Sequence, residues 1–292
     1  MPKKIHLVDG TYELFRNYYG APPKKSPDGR EVGATLSLLR SLLVLLNSGA
    51  THVACAFDTV IESFRNTLYE GYKTGEGMDP DLFSQFTLAE EAVSALGLTV
   101  WSMIDFEADD GIASGVAKFS KNKSVEQIVI CSPDKDLAQM VTGKRVVCWD
   151  RRRDIVLDED GVVEKFGVKP ESIPDYLGLV GDAADGYPGI PGWGSKSASV
   201  VLAKFKHIES IPDDPSKWKL KVRGADRLAQ NLSQQRKEAM LYRKLATLRV
   251  DVPIKETVGD LEWKGAHERL KHICQECGDD ALPSRISTWR KD

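Results

Sequence analysis

The sequence predicts an α/β fold, a mostly parallel central sheet flanked by helices, followed by a helical region. Three observations carry this reading. Three short apolar runs, "KKIHLVDG", "THVACAFD" and "EQIVICSPDKD", have the composition of buried strands, and each runs into aspartate. Longer stretches with helical spacing lie between them. From about residue 170 onward no further strand pattern occurs, and the loops become rich in glycine and proline. Strands alternating with helices imply a parallel sheet covered on both faces, whose ligands gather beyond the carboxyl ends of the strands.

Taken in order, the first strand ends at Asp9 and the second at Asp58. Between them, "ATLSLLRSLLVLLNSG" (34–49) reads as a helix with a glycine stop. "DLFSQFTLAEEAVSALG" (81–97) reads as another, also ending in glycine. "FEADDGIASGVAKF" (106–119) opens a helix with Glu107, Asp109 and Asp110. The third run leads into Asp134 and Asp136. The change of composition after "RVVCWDRRRD" sets the expected boundary, with domains at 1–170 and 171–292. No repeat and no low-complexity segment interrupts this order.

Composition excludes several classes. No apolar run approaches the ~20 residues of a membrane span. The first residues lack the apolar core of a secretory leader, so the cytoplasm is the expected compartment. Five scattered cysteines, an odd number, imply no disulfide framework. The net charge of −3 argues at first against a polyanionic partner. Nine of the 43 acidic residues, however, fall in the strand-end and turn positions described here. Without them 34 acidic residues face 40 basic ones. If those nine hold cations, the remaining charge suits nucleic acid.

A single aspartate after a strand is ordinarily a helix cap or a turn residue. Acidic residues in a first turn suit the helix dipole. Asp9, Asp58, the Glu107, Asp109 and Asp110 group and the Asp134–Asp136 pair differ when taken together, because converging carboxylates repel unless cations hold them. Oxygen-only ligands select Mg²⁺ or Mn²⁺. Two such ions ~4 Å apart form a centre that hydrolyses phosphodiesters. "GDAADGYPGIPGWGSKSA" (181–198) adds Asp182 and Asp185 just before a knot of glycine and proline.

The motifs "LVDG", "FDTVIESFRNTLYEGYK", "FEADDGIAS", "CSPDKDLAQMV" and "GLVGDAADGYPGIPGWGSKSA" resemble, in order and spacing, the 5′-3′ exonuclease/flap endonuclease family. The likeness is to the nuclease portion of bacterial DNA polymerase I and its free-standing relatives, and runs from about residue 4 to the 280s. The resemblance implies a PIN-like nuclease core and a helix-three-turn-helix element. It implies a Mg²⁺-dependent 5′ nuclease with two ions, for which Mn²⁺ substitutes. Its metal ligands would be Asp9, Asp58, Glu107, Asp109, Asp110, Asp134, Asp136, Asp182 and Asp185, the last two serving mainly the second ion. The substrate implied is DNA with 5′ flaps, nicks or ends, taken by a monomer.

The glycine-rich turn follows from the same likeness. Gly189, Gly192 and Gly194 permit close backbone approach and positive φ. A helix starting near Ser195 would aim free amides at a phosphate with Lys196 alongside, and the family implies a K⁺ there. Arg65 and Lys73 match a basic gateway and would stabilise the scissile phosphate; Arg16 matches a basic residue near the first aspartate. The chain departs from the pattern at "YKTGEGMDP", where Glu76 stands between two glycines in place of a further arginine. The basic run 217–249 offers a second phosphate-contacting surface. "HERLKHICQEC" has irregular spacing for zinc and reads as one amphipathic helix.

Two rival classes fit the residues less well. A haloacid-dehalogenase phosphatase needs an aspartate two residues after the first, where this chain has Thr11. A structure-specific DNA-binding protein with little or no catalysis would be expected to lose some carboxylates, and all nine are present.

Overall fold

Strand β1 (Lys3–Asp9) pairs in parallel with β2 (His52–Asp58) on one side and with β4 (Val125–Cys131) on the other. Strand β3 (Thr99–Met103) adds in parallel to β2, so the order is β3-β2-β1-β4. This is a computed structural model, and it describes residues 3–290. The four strands belong to a first unit formed by the residues up to Ile61, Gly75–Ser132 and the residues from Val250. Parallel strands covered on both faces read as nearly continuous apolar runs, and β1 and β2 are buried from Ile5 to Asp9 and from His52 to Phe57.

Helices Gly10–Gly20, Gly33–Asn47, Gln85–Ala95 and Ala108–Phe119 accompany this sheet. Two expectations change here. The stretch 81–97 is not one helix: Pro80–Phe83 ends at Ser84 before Gln85–Ala95 begins. β3 is an element the sequence reading lacks, because "TVWSM" is only five residues long, half-buried at Thr99 and Val100 and alternating only from Trp101 to Met103, and pairs in this unit only with β2.

The second unit comprises Glu62–Thr74 and Pro133–Arg249, and so cuts the chain differently from the boundary near residue 170 read from composition. It holds an antiparallel pair, β5 (Val146–Asp150) and β6 (Ile155–Leu157), and a set of helices. Helix Ile173–Val180 lies closely against Arg236–Ala246. A Cβ on Gly178 would stand 2.9 Å from the Arg243 backbone nitrogen, so only glycine permits that approach. Helix Ser195–Phe205 starts where the sequence places it. Beyond residue 170 every described helix or strand is helical. All five cysteines are buried. Among the described residues no helix is long and apolar enough to cross a membrane.

Candidate metal centre and phosphate-binding turn

In the second unit a short loop aims two carboxylates. Asp182 and Tyr187 bond to each other through both backbone amides (2.8 and 3.0 Å), closing the loop 182–187. Within it, the Ala184 N–H donates to Asp182 Oδ1 (3.0 Å). Gly186 adopts φ +87°, and a Cβ there would lie 2.1 Å from the Gly71 carbonyl oxygen. The loop is therefore clamped against the segment that carries Lys73.

Asp136 joins this pair. One carboxylate oxygen from each of Asp136, Asp182 and Asp185 lies within 4.8 Å of the others. Asp136 is 6% exposed, and its Oδ1 is buried with no hydrogen-bond partner. Burial, then the neighbouring Asp134 and Asp185 charges, push the Asp136 carboxyl well above the usual carboxylate range. Two lysines offset part of the charge: Lys135 pairs with Asp182, and Lys73 Nζ lies 3.1 Å from Asp185 Oδ1. Burial alone would lower the Lys135 ammonium, but Asp136 and Asp182 outweigh it and raise its pKa. An all-oxygen donor set with one orphaned carboxylate oxygen fits a hard divalent cation. Asp134 is exposed, and its Oδ1 accepts the Asp136 N–H (2.8 Å), so it shapes the turn that presents Asp136.

The first unit gathers its own carboxylates at the carboxyl ends of its strands. Asp9 Oδ1 caps the helix Gly10–Gly20 through the Tyr12 N–H (2.8 Å), and its Oδ2 accepts from the Ser132 hydroxyl (2.9 Å). The Asp58 N–H donates to the Thr11 hydroxyl (2.7 Å). Asp58 Oδ1 accepts the Ala108 N–H (2.7 Å), which brings the end of β2 to the start of helix Ala108–Phe119. Glu107 is the N-cap of that helix, and its N–H donates to Asp110 Oδ2 (3.1 Å). Both residues are buried, whereas Asp109 is partly exposed. Helix capping and a place beside the strand ends thus coincide in the same side chains.

The three cations singled out in the sequence differ in how they are held. Arg65 is 1% exposed. Its Nε donates to the Leu245 carbonyl (2.7 Å), its Nη2 to that of Thr247 (3.3 Å), and the guanidinium lies 4.7 Å from the centre of the Phe64 ring. A guanidinium held this way braces backbone. Lys73 is part-exposed; its N–H donates to the Asp185 carbonyl (3.0 Å), and its own carbonyl accepts from Asn66 (2.9 Å). Arg16 pairs with Glu13 and lies 3.2 Å from the Ser41 hydroxyl oxygen.

At the turn, Gly189 and Gly192 have φ of +70° and +84°. Gly194 is extended at φ −127° with open space around it, so the positive φ expected there is corrected; it serves as the cap of helix Ser195–Phe205. Ser195 and Lys196 are exposed on a groove of about 480 Å³ that also includes Lys221 and Arg223. Trp193 and Tyr187 of the turn are buried; the Trp193 indole donates to the Leu228 carbonyl (3.1 Å). Sequence reasoning missed Lys135 as a partner of Asp182, although its place between Asp134 and Asp136 was a signal.

Two family profiles match the chain in succession: "5′-3′ exonuclease, N-terminal resolvase-like domain" over residues 4–167, and "5′-3′ exonuclease, C-terminal SAM fold" over 168–269. A 5′-3′ exonuclease of Buchnera aphidicola subsp. Baizongia pistaciae is 35% identical over 290 residues, covering 98% of this chain and 92% of that protein. Its counterpart in the subspecies Acyrthosiphon pisum is 30% identical over 264 residues, covering 89% and 91%. DNA polymerase I of Bacillus subtilis is 31% identical over 293 residues, 97% of this chain but 32% of the polymerase. The fold is shared with the T5 D15 protein co-crystallized with metal ions (TM-score 0.66, 18% identity, 97% of each chain). It is shared also with the catalytic core of Rad2 in complex with DNA substrate (0.63, 14%, 97% and 90%).

Proposed function

The chain belongs to the 5′-3′ exonuclease family, and we propose that it is a structure-specific 5′ nuclease that hydrolyses branched or nicked DNA at a centre of two divalent ions. As a member of that family it is a hydrolase, a 5′-3′ exonuclease/flap endonuclease that acts on DNA with metal ions. The observation that carries the finer reading is the buried Asp136, Asp182 and Asp185 group with its orphaned oxygen.

Asp136, Asp182 and Asp185 would hold one ion; Asp9, Asp58, Glu107, Asp109, Asp110 and Asp134 complete the proposed ligand set. Divalent ions bound there supply Lewis acidity at the phosphate and a water made acidic enough to attack near neutral pH. Lys73, a part-exposed cation beside Asp185, orients the scissile phosphate and stabilises its developing charge. Hydrolysis adds the water's oxygen to phosphorus and releases the 3′-oxygen, leaving a 5′-phosphate and a 3′-hydroxyl. The amides at the start of helix Ser195–Phe205, with Lys196, grip the duplex backbone without reading sequence.

Mg²⁺ is the proposed physiological ion, with Mn²⁺ able to replace it and K⁺ bound at the turn. Residues 1–170 form the proposed nuclease core and 171–292 the DNA-binding region of a cytoplasmic monomer. The deciding experiment compares cleavage of 5′-flap, nicked, gapped and blunt DNA with and without Mg²⁺. Mg²⁺-dependent release of the 5′ strand from the flap and nicked substrates supports the proposal. Binding of the branched DNA without cleavage under any divalent ion would return the chain to the non-catalytic alternative.

A further inference from the structure

Both carboxylate oxygens of Asp182 are engaged, by partners of different kinds. Oδ1 accepts the Ala184 N–H inside the closed loop 182–187, and Oδ2 pairs with the Lys135 ammonium. The first partner is fixed, because that amide moves only if the loop opens. The second is not. Lys135 caps the 3₁₀ turn Asp136–Met140, where its carbonyl accepts the Ala138 N–H (3.1 Å), so its backbone is anchored. Its side chain is 35% exposed, against 5% for that of Asp182, and ends a flexible four-carbon stem. The ammonium can therefore turn out to water while the carboxylate stays in place.

An ordinary surface ion pair contributes little. This one differs in its partner, since Asp182 is buried in a group of three carboxylates that each offer an oxygen within 4.8 Å of the others. Like charges this close are tolerated with a cation among them. Formally, three carboxylates facing Lys135 and Lys73 keep one negative charge; release of Lys135 raises this to two, which a divalent ion neutralises. We propose that Lys135 is a placeholder cation, a positioning residue that holds Asp182 while the site lacks a divalent ion and is exchanged for the ion when one binds. This rests on the metal-centre reading above. Uptake of the ion breaks the pair, so the lysine weakens the affinity of the site that it keeps in shape.

The test is Lys135→Met, which keeps the stem and removes the charge, with Lys135→Gln as a second neutral form and Lys135→Arg as the charge-keeping control. Mn²⁺ binding is measured by titration calorimetry without DNA, and thermal unfolding is followed with and without the ion. Removal of a competing neighbour should tighten one Mn²⁺ site by about 3–10-fold in both neutral forms. Lys135→Arg should bind as the unaltered protein does. The Tm of the ion-free neutral forms should fall, and their Tm increment from Mn²⁺ should grow. A Mn²⁺ affinity that is equal or weaker in the neutral forms overturns the proposal; the lysine is then a structural partner, and the metal centre itself stands. If neither the unaltered protein nor the neutral forms take up Mn²⁺, the metal-centre reading falls and this one with it.

Discussion

Lys73 Nζ lies 3.1 Å from Asp185 Oδ1, so the cation assigned to the reacting phosphate is held by a carboxylate assigned to the metal centre. Backbone reinforces the relationship, since the Lys73 N–H donates to the Asp185 carbonyl. Lys135 and Asp182 repeat the arrangement on the neighbouring carboxylate. Each lysine offsets a carboxylate charge, and a divalent ion at the proposed site would compete with these pairs.

Lys73→Ala should lower the single-turnover rate at saturating flap DNA by on the order of 100-fold, as loss of one stabilising donor does elsewhere. DNA affinity should change much less, because one phosphate contact is lost among many. A rate at saturation equal to that of the unaltered protein removes Lys73 from the reaction.

Replacing Asp182 and Asp185 together by alanine should weaken one ion selectively. The Mg²⁺ concentration needed for half-maximal cleavage should rise by at least ~10-fold, since ligands matter no less than the groups behind them. Calorimetry showing the original stoichiometry and affinity contradicts the assignment.

Lys196→Ala should weaken DNA binding alike on all sequences and reduce the slope of log affinity against log salt by about one. Its exposure on the groove with Lys221 and Arg223 makes it available to phosphate. A sequence-dependent loss, or none, leaves the turn a structural connection.

Glu76 is exposed on a turn in which the Met78 N–H donates to the Gly75 carbonyl (3.1 Å) and Gly77 has φ +79°. No helix forms at 74–79, as the two glycines suggest. Glu76→Arg should improve capture of long 5′ flaps a few-fold at low salt, an effect that fades as screening shortens to ~8 Å. The single-turnover rate at saturation should not move. Equal flap capture at every salt concentration makes 74–78 a simple linker.

The five buried thiols should resist alkylation in the native protein. Burial, followed by the Asp279 charge, pushes the Cys274 thiol up to about 12. At pH 8 its thiolate fraction is therefore negligible. Iodoacetamide should label the five only after denaturation, which mass spectrometry reads directly. Rapid native labelling of Cys274 contradicts the packing described.

The recognisable parts of the site are those whose chemistry is local. An apolar run ending in aspartate marks a buried parallel strand, because both faces of such a strand are covered and its polar end meets the ligand side of the sheet. Asp9 and Asp58 were found this way, and the start of helix Ser195–Phe205 followed from its glycines, serine and lysine. Strand β3 escaped because it is only five residues long and begins with two half-buried residues rather than an apolar run, and the break at Ser84 escaped because the apolar spacing continues across it.

By itself the sequence determined the family, the strand-end carboxylates and the order of the elements, since each depends on residues near one another in the chain. Only the tertiary structure decided what each charge does. Arg65 and Lys73 are eight positions apart in one basic motif, yet Arg65 is sealed against the Leu245 and Thr247 carbonyls while Lys73 is part-exposed beside Asp185. The Tyr187 ring stacks on that of Tyr242, 55 positions along the chain, which no local pattern shows. Burial and the identity of a charge's partner are set by long-range packing, and these decide whether a side chain of given type braces the framework, holds an ion or meets the substrate.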